Sequence, residues 1–348
     1  MKPLAVAPAG PPRPRLLAVT ALAAATTLVL AVAGIVAGSS GLSVPDTVRT
    51  VFVGGDASES FIVFQLRLPR VCAAVLVGAS LGMAGALTQS FSRNPLATPD
   101  IIGVTAGASA GAVFAIVAVG GTYAVSAGVL SLGVPVMATV SGLATAALVY
   151  SLSWSGGVDS YRLILIGIGA SATLTGLTSY LLVRAELSLA QAATQWLVGS
   201  LSGVSWLSVW PTLVTFVVLT PIALTQTGSL DVVQLGDEVA TGLGVDVQWH
   251  RLVVLASAAI LTSVAVSASG PIGFVAFVAP QVARRLGRTS RPPLIASALL
   301  GAITVCGADV LGRAVLPWTV PVGIITALVG APYLIWLLAR GNAWERTS

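Results

Sequence analysis

The chain has 348 residues, of which 56% are hydrophobic and 8% are charged, and its formal net charge is +5. A soluble domain carries about 25% charged residues, so this composition excludes a water-soluble fold and indicates that lipid covers much of the surface. Acidic residues are few and no dense basic patch alternates with aromatic residues, so we do not expect nucleic-acid binding.

Long apolar runs divide the chain into predicted membrane spans. A helix needs roughly 20 apolar residues to cross a bilayer, and these runs lack the alternation that marks barrel strands. The sequence therefore predicts an all-α integral membrane protein with about ten transmembrane helices. In chain order, the predicted spans are 16–38, 69–91, 101–119, 129–151, 163–183, 206–226, two spans within 252–283 that are separated at 269–273, 293–312 and 320–339.

The first apolar run is longer than the 7–15 residues of a signal-peptide core, so we expect it to be a span. Residues 1–15 are then a cytoplasmic N-terminal tail, 16–340 a single transmembrane domain and 341–348 a cytoplasmic C-terminal tail. This topology places 12 of the 17 Lys and Arg residues inside, as the positive-inside rule requires. The second span runs inward and the seventh outward, and a Pro/Gly break follows each, which fits inverted-repeat halves.

Few polar residues are available for chemistry inside the membrane. The chain has one histidine, His250, and no G-x-x-x-x-G-K-[ST] phosphate loop, so we expect no protein-built metal site and no ATP hydrolysis by this chain. Asp309 is the only carboxylate well inside an apolar run. Arg313 follows it by four residues, which favours an ion pair over a proton-carrying site. Any energy that the chain uses either comes from a partner or is not needed.

Two other classes of function stay open at this point. An ion-coupled secondary transporter would be driven by an ion gradient and would not need ATP. A membrane-embedded lipid-modifying enzyme would need His, Asp or Glu clustered near one face, and the sequence does not offer such a cluster.

The most polar interior stretch, 227–249, is predicted to form two short helices. The first covers 230–235. Gly236 breaks it, Asp237 can cap a second helix that runs through Leu243, and Gly244 can end that helix. Two short helices beside a membrane suit docking into a groove of another protein, and a solvated connecting loop is the alternative.

Eight blocks between residues 66 and 340 resemble those of the FecCD-type permeases for iron siderophores and cobalamin, and they occur in family order. Among them are LRLPR at 66–70, QSFSRNPLATPDIIG at 89–103, WLVGSLSG at 196–203 and LGDEVATGLG at 235–244. The others are 270–280, 308–309, 320–323 and 330–332. One departure stands out: Gln281 follows Pro280 where the family usually has histidine.

The resemblance implies the permease subunit of a type II ATP-binding-cassette (ABC) importer in the bacterial inner or plasma membrane, and not an enzyme. Such a subunit takes a ferric siderophore, or a related iron chelate, haem or cobalamin, from a substrate-binding lipoprotein or periplasmic protein. Its partners are ABC ATPase subunits and a second permease copy or sister permease. ATP and magnesium belong to the ATPase, so this chain binds no cofactor.

The resemblance also implies three sets of functional residues. Docking of the binding protein is expected at three outer arginines, which pair with its acidic residues: Arg67, Arg70 and Arg313. ATPase coupling is expected at Leu235, Gly236, Asp237, Glu238, Leu243 and Gly244. A cytoplasmic gate is expected at the inner ends of spans, at Asn94, Leu96, Ser160 and Tyr161.

Overall fold

The computed structural model describes residues 14–36, 42–119, 133–154, 157, 160–315 and 318–344, and in these ranges the chain is helical with no β-strand. The helices are α1 Pro14–Val36, α2 Val44–Phe52, α3 Ala57–Phe61, α4 Leu68–Ser92, α5 Val104–Val119, α6 Gly133–Leu152, α7 Ser160–Arg184, α8 Leu187–Leu197, α9 Trp206–Thr225, α10 Thr227–Val233, α11 Asp237–Gly242, α12 Val247–Ser269, α13 Val275–Gly287, α14 Leu294–Val310 and α15 Val322–Trp344. The all-α prediction is confirmed.

Each of the ten predicted spans corresponds to a helix. Seven helices of the described residues are long and apolar enough to cross a membrane, and α5 and α15 contain shorter apolar segments. The tenth, α13, has only 13 residues. Of the predicted tails 1–15 and 341–348, residues 1–13 and 345–348 lie outside the described residues, and 14–15 and 341–344 belong to α1 and α15.

The structure extends helix beyond the second predicted span. That span, 69–91, belongs to a continuous helix over Ala57–Ser92. A π-helical turn, Ile62–Arg67, joins α3 to α4. This turn lies directly before Pro69, which has no N–H to donate to the preceding turn, so the helix passes the proline through a local change in hydrogen bonding.

Helix α4 lies at the centre of the bundle and packs closely against α14. A Cβ added at Gly78 or Gly82 would overlap the backbone of Gly301 or Ser297. Glycines four residues apart let two helix backbones approach and gain dispersion contacts that lipid cannot replace. Intramolecular packing accounts for this pair of glycines.

The bundle has two ends that matter for function. The Asp309 end contains the C-terminal end of α1, the π turn before α4 and the C-terminal end of α14. The Asp237 end contains the C-terminal end of α4, the short helices α10 and α11, and the beginning of α12.

Candidate functional site

At the Asp309 end, one buried carboxylate binds two arginines. Asp309 is 2% exposed, its Oδ1 atom lies 2.8 Å from Arg70 Nε, and its Oδ2 atom lies 2.9 Å from Arg313 Nε. The predicted pair between Asp309 and Arg313 is confirmed, and Arg70 adds a partner from α4. Both carboxylate oxygens therefore accept charge-assisted hydrogen bonds, which are the strong kind.

The third arginine of this end holds the C-terminal end of α1. Arg67 is 4% exposed, and its Nη1 atom donates to the carbonyl oxygens of Ile35 at 3.0 Å and Val36 at 3.1 Å. It also donates to Thr47 Oγ1 of α2 at 3.1 Å, and Arg313 donates to the Gly34 carbonyl. The last carbonyls of a helix lack partners within the helix and carry partial negative charge, so arginines stabilise this end.

The three predicted docking arginines lie in one cluster, as expected, but their side chains point mainly into the protein. Arg70 keeps 23% of its side chain exposed, compared with 6% for Arg313, and Arg67 is buried. Their role in docking stays a prediction. Sequence reasoning missed that Asp309 connects two of them, because Arg70 and Asp309 are 239 residues apart and no local pattern relates them.

At the Asp237 end, the predicted pair of short helices is present as α10 and α11. Gly236 separates them with φ of 112°, a conformation that favours glycine. Gly244 ends α11 with φ of 84°. Its N–H donates to the Thr241 carbonyl and the Val245 N–H donates to the Ala240 carbonyl, which is the Schellman arrangement.

The prediction that Asp237 caps α11 through its side chain was wrong. Gly236 occupies the capping position, without a side-chain hydrogen bond, and Asp237 is the first helical residue. Its carboxylate instead pairs with Arg93 and Arg251. An acid in the first turn still interacts favourably with the helix dipole. The Asp237 carboxylate therefore stabilises the N-terminal end of α11 while it pairs with two arginines.

This segment has a small core and an exposed apolar face. Val233, Ala240, Val245 and Val247 form a buried cluster. Leu235 is 65% exposed, and Val239 and Leu243, four and eight residues later, are also exposed. Val239 and Leu243 are four residues apart, which puts them on one side of α11, next to the exposed Glu238. Leu235 is exposed in the turn before that helix. We call Leu235, Val239 and Leu243 the apolar docking face.

Polar contacts fasten this segment to the bundle at several further points. Gln234 Nε2 donates to the Ser90 carbonyl of α4 at 2.7 Å, and Asp231 forms an ion pair with Arg291. Arg251 also stacks over the Phe91 ring, with its guanidinium carbon 5.6 Å from the ring centre. The segment is therefore attached to the helices and does not behave as a solvated connecting loop.

The predicted gate residues lie at helix ends, as expected. Arg93 ends α4 in the left-handed conformation, with φ of 51°. Asn94 Oδ1 then accepts a hydrogen bond of 2.9 Å from the Leu96 N–H, which forms a tight turn. Leu96 and Tyr161 are exposed, and Ser160 begins α7. That these residues close a pathway stays a prediction. We call residues 93–97 the gate loop.

Gln281 holds the gate loop from the opposite side. Its side chain is fully buried, with 1% exposed. Its Nε2 atom donates to Gln89 Oε1 and, at 3.0 Å, to the Pro95 carbonyl. Its Oε1 atom accepts from Arg284 at 3.2 Å. A neutral imidazole has one N–H donor, whereas an amide has two, so glutamine suits this position better than the histidine that the resemblance would place here.

Gln89 also supplies a hydrogen-bond donor that Pro280 cannot provide within α13. Proline has no N–H, so the Ala276 carbonyl four residues earlier lacks its usual helical donor. Gln89 Nε2 lies 3.4 Å from that carbonyl oxygen and 3.2 Å from the Phe277 carbonyl oxygen. Sequence reasoning missed Gln89, because only the fold shows which carbonyl it reaches.

Comparison with known proteins supports a transport role. The pattern that defines the FecCD transport family matches residues 26–340. The ferric enterobactin transport system permease protein FepG of Escherichia coli is 38% identical over 323 residues, which is 90% of this chain and 96% of FepG. The iron(3+)-hydroxamate import system permease protein FhuG of Bacillus subtilis is 37% identical over 298 residues, 85% of this chain and 89% of FhuG.

A solved structure shows the same fold. It is described as an inward-facing conformation of a metal-chelate type ABC transporter, and it superposes with a TM-score of 0.80 at 29% sequence identity. The match covers 93% of this chain and 99% of that chain. The likeness therefore extends over nearly the whole length of both proteins.

Proposed function

Because the chain belongs to the FecCD transport family, we propose that it is the permease subunit of an ABC importer for a ferric siderophore or related iron chelate. The relatives that support this are named for transport of ferric enterobactin, iron hydroxamate and ferric citrate. The chain is a multi-pass membrane permease and not an enzyme. It would lie in the bacterial inner or plasma membrane with both termini and the Asp237 end in the cytoplasm.

The observation that carries this proposal is the apolar docking face. Leu235, Val239 and Leu243 lie exposed on a segment that leaves the bundle between α9 and α12. Exposed apolar side chains on an element outside the lipid mark a protein interaction site. An ATPase that docks here would supply the energy, since this chain has no phosphate loop.

The Asp309 end would receive the substrate-binding protein. Asp309 pairs with Arg70 and Arg313 there, and Arg67 lies at the same end. The cluster therefore keeps an excess of positive charge that attracts acidic groups and orients an approaching partner. Of the two arginines paired with Asp309, Arg70 has the more exposed side chain and would make the first contact. Arg67 and Arg313 would hold α1 and α14 in place behind it. A second permease copy or a sister permease would complete the pathway, with Asn94, Leu96, Ser160 and Tyr161 at its cytoplasmic exit.

A substrate panel tests which cargo is carried. The permease is expressed with its neighbouring ATPase and binding protein in cells that lack other iron-chelate importers. Uptake of radioactive iron is then measured with enterobactin, a hydroxamate or citrate as the chelator, and labelled cobalamin and haem are supplied separately. We expect accumulation of at least one iron chelate. Uptake of cobalamin or haem without any iron chelate would contradict the proposed cargo and leave the permease assignment intact.

A further inference from the structure

Two contacts connect the docking segment directly to the place where the gate loop begins. Asp237, the first residue of α11, forms an ion pair with Arg93. Gln234, which follows α10, donates to the Ser90 carbonyl of α4 at 2.7 Å. The segment that would meet the ATPase therefore contacts α4 on both sides of its final turn.

Arg93 is an unusual residue for this position. It takes a left-handed backbone conformation, with φ of 51°, which residues with a Cβ atom rarely adopt outside special contexts. Such a conformation persists when the surrounding contacts hold it. The ion pair with Asp237 is one such contact. Because Arg93 immediately precedes the Asn94 turn, a change in the backbone conformation of Arg93 would redirect the whole gate loop.

Asp237 divides its two oxygen atoms between a fixed element and this loop. Oδ2 pairs with Arg251 of the long helix α12, and that arginine also stacks on Phe91. Oδ1 pairs with Arg93. Since Arg251 is anchored in the bundle, a rotation of α11 would act on the looser partner, Arg93. Gln281 holds Pro95 in the middle of the gate loop, so a movement of Arg93 would turn the loop about that attachment.

Stability alone gives a weak reason for the Asp237–Arg93 contact. Both side chains are about as exposed as a surface pair, 42% for Asp237 and 36% for Arg93, and exposed ion pairs contribute little to the free energy of folding. We propose that Asp237 is a positioning residue through which the ATPase-docking segment moves Arg93 and the gate loop when the ATPase binds nucleotide. This inference rests on the proposed function.

The test follows the gate loop while the ATPase turns over. A single cysteine replaces Leu96 in a chain with Cys72→Ala and Cys306→Ala, and the permease is purified with its ATPase in lipid nanodiscs. The labelling rate of that cysteine by a water-soluble thiol reagent is measured with and without trapped nucleotide. Asp237→Asn and Arg93→Gln each remove one partner of the pair. Asp231→Asn is the matched control, because it breaks an ion pair of the same segment that does not touch the gate loop.

We expect the parent and Asp231→Asn to change their labelling rate with nucleotide. We expect Asp237→Asn and Arg93→Gln each to reduce the nucleotide-dependent change about tenfold, within the range of coupling between distant sites. Arg93→Gln, which lies outside the docking segment, should keep the ATPase bound and hydrolysing ATP. The double variant should be no worse than either single variant, because both remove the same interaction. Asp237→Glu should restore most of the change.

Three results would overturn the inference. One is an Asp237→Asn protein that labels as the parent does in both states. Another is loss of the bound ATPase in Asp237→Asn, which would make Asp237 a docking residue and leave the proposed function standing. The third is a parent that neither retains an ATPase nor responds to nucleotide, which would overturn the proposed function as well. If the Asp237→Asn protein does not accumulate in the membrane, the same labelling and ATPase-binding measurements on Arg93→Gln test the inference.

Discussion

Asp309 of α14 and Arg70 of α4 are joined by a 2.8 Å contact between Oδ1 and Nε, inside the end of the bundle that we assign to the outer side of the membrane. The residues are 239 positions apart in the sequence. The pair links two helices that also pack closely through glycine, and it shares its carboxylate with Arg313. The Asp309 end is therefore held by a buried ionic cluster, and small-residue packing joins the same two helices further along.

Replacing Asp309 by alanine should destabilise the permease strongly. Removal of one partner of a buried ion pair leaves uncompensated charge, which costs about 3–5 kcal/mol. Thermal unfolding of the detergent-purified protein measures this as a lowered midpoint. Asp231→Asn, which breaks an exposed pair, should lower stability by about 1 kcal/mol or less. Equal midpoints for the two variants would contradict a structural role for the Asp309 cluster.

Arg70→Gln should slow association with the binding protein, because a charge at the rim of an interface acts mainly on encounter. Asp309 keeps its contact with Arg313, so the amount of permease in the membrane should stay near that of the parent. Surface plasmon resonance at several salt concentrations measures the association rate. The difference from the parent should be largest at low salt and should shrink as salt screens the charges.

Arg184→Gln is the matched control for this experiment, since Arg184 is an exposed arginine at the C-terminal end of α7. It removes the same charge from the side of the bundle that we assign to the outside. If Arg184→Gln slows association as much as Arg70→Gln does, the effect comes from net charge and not from the arginine cluster.

Leu243→Ser should weaken binding of the ATPase. The leucine is exposed on the apolar docking face, and loss of a buried leucine contact at an interface is worth roughly 1–3 kcal/mol, or about 5- to 150-fold in affinity. Co-purification at decreasing ATPase concentration gives the affinity. Thr241→Ser, an exposed position in the same short helix outside the predicted coupling residues, should bind as the parent does. If Leu243→Ser binds the ATPase as tightly as the parent does, the apolar docking face is not the ATPase-binding surface.

Gln281→Met should loosen the gate loop. Methionine has a similar shape but leaves the Pro95 carbonyl and Gln89 Oε1 without this donor, and a buried unsatisfied polar group costs about 1–3 kcal/mol. A cysteine at position 96 should then label faster in the absence of nucleotide. Gln191→Met on α8, where the glutamine is exposed, should not change that rate. Parent-like labelling of Gln281→Met would contradict the anchoring role of Gln281.

The order of the spans could be read from the sequence because each depends on a local property. Apolar runs, Gly/Pro breaks and the spacing of Gly236 and Gly244 are sufficient to place ten helices and the two short ones between α9 and α12. The continuous helix before α4 escaped this reading, because a π turn lets the helix pass Pro69 and no apolar pattern signals such a turn.

The partners of the polar residues could not be predicted in the same way. Asp237 looked like a helix cap because capping is a local rule, yet in the fold its carboxylate meets Arg93 and Arg251. The sequence marked Gln281 only as a departure from the family's usual histidine, and the structure shows an amide whose donors both have partners. Contacts between residues far apart in the chain depend on how the helices pack, which the sequence pattern alone does not specify.

The central claim, that this permease imports an iron chelate with energy from an ATPase docked on 227–249, is tested most directly by uptake into proteoliposomes. The permease is reconstituted with its ATPase, and the binding protein loaded with radioactive ferric chelate is added on the opposite side of the membrane from the ATPase. We predict accumulation that requires ATP on the ATPase side, that persists when ionophores abolish ion gradients and that is lost with Leu243→Ser. Accumulation that proceeds without ATP and collapses with the ionophores would contradict the account and identify an ion-coupled carrier.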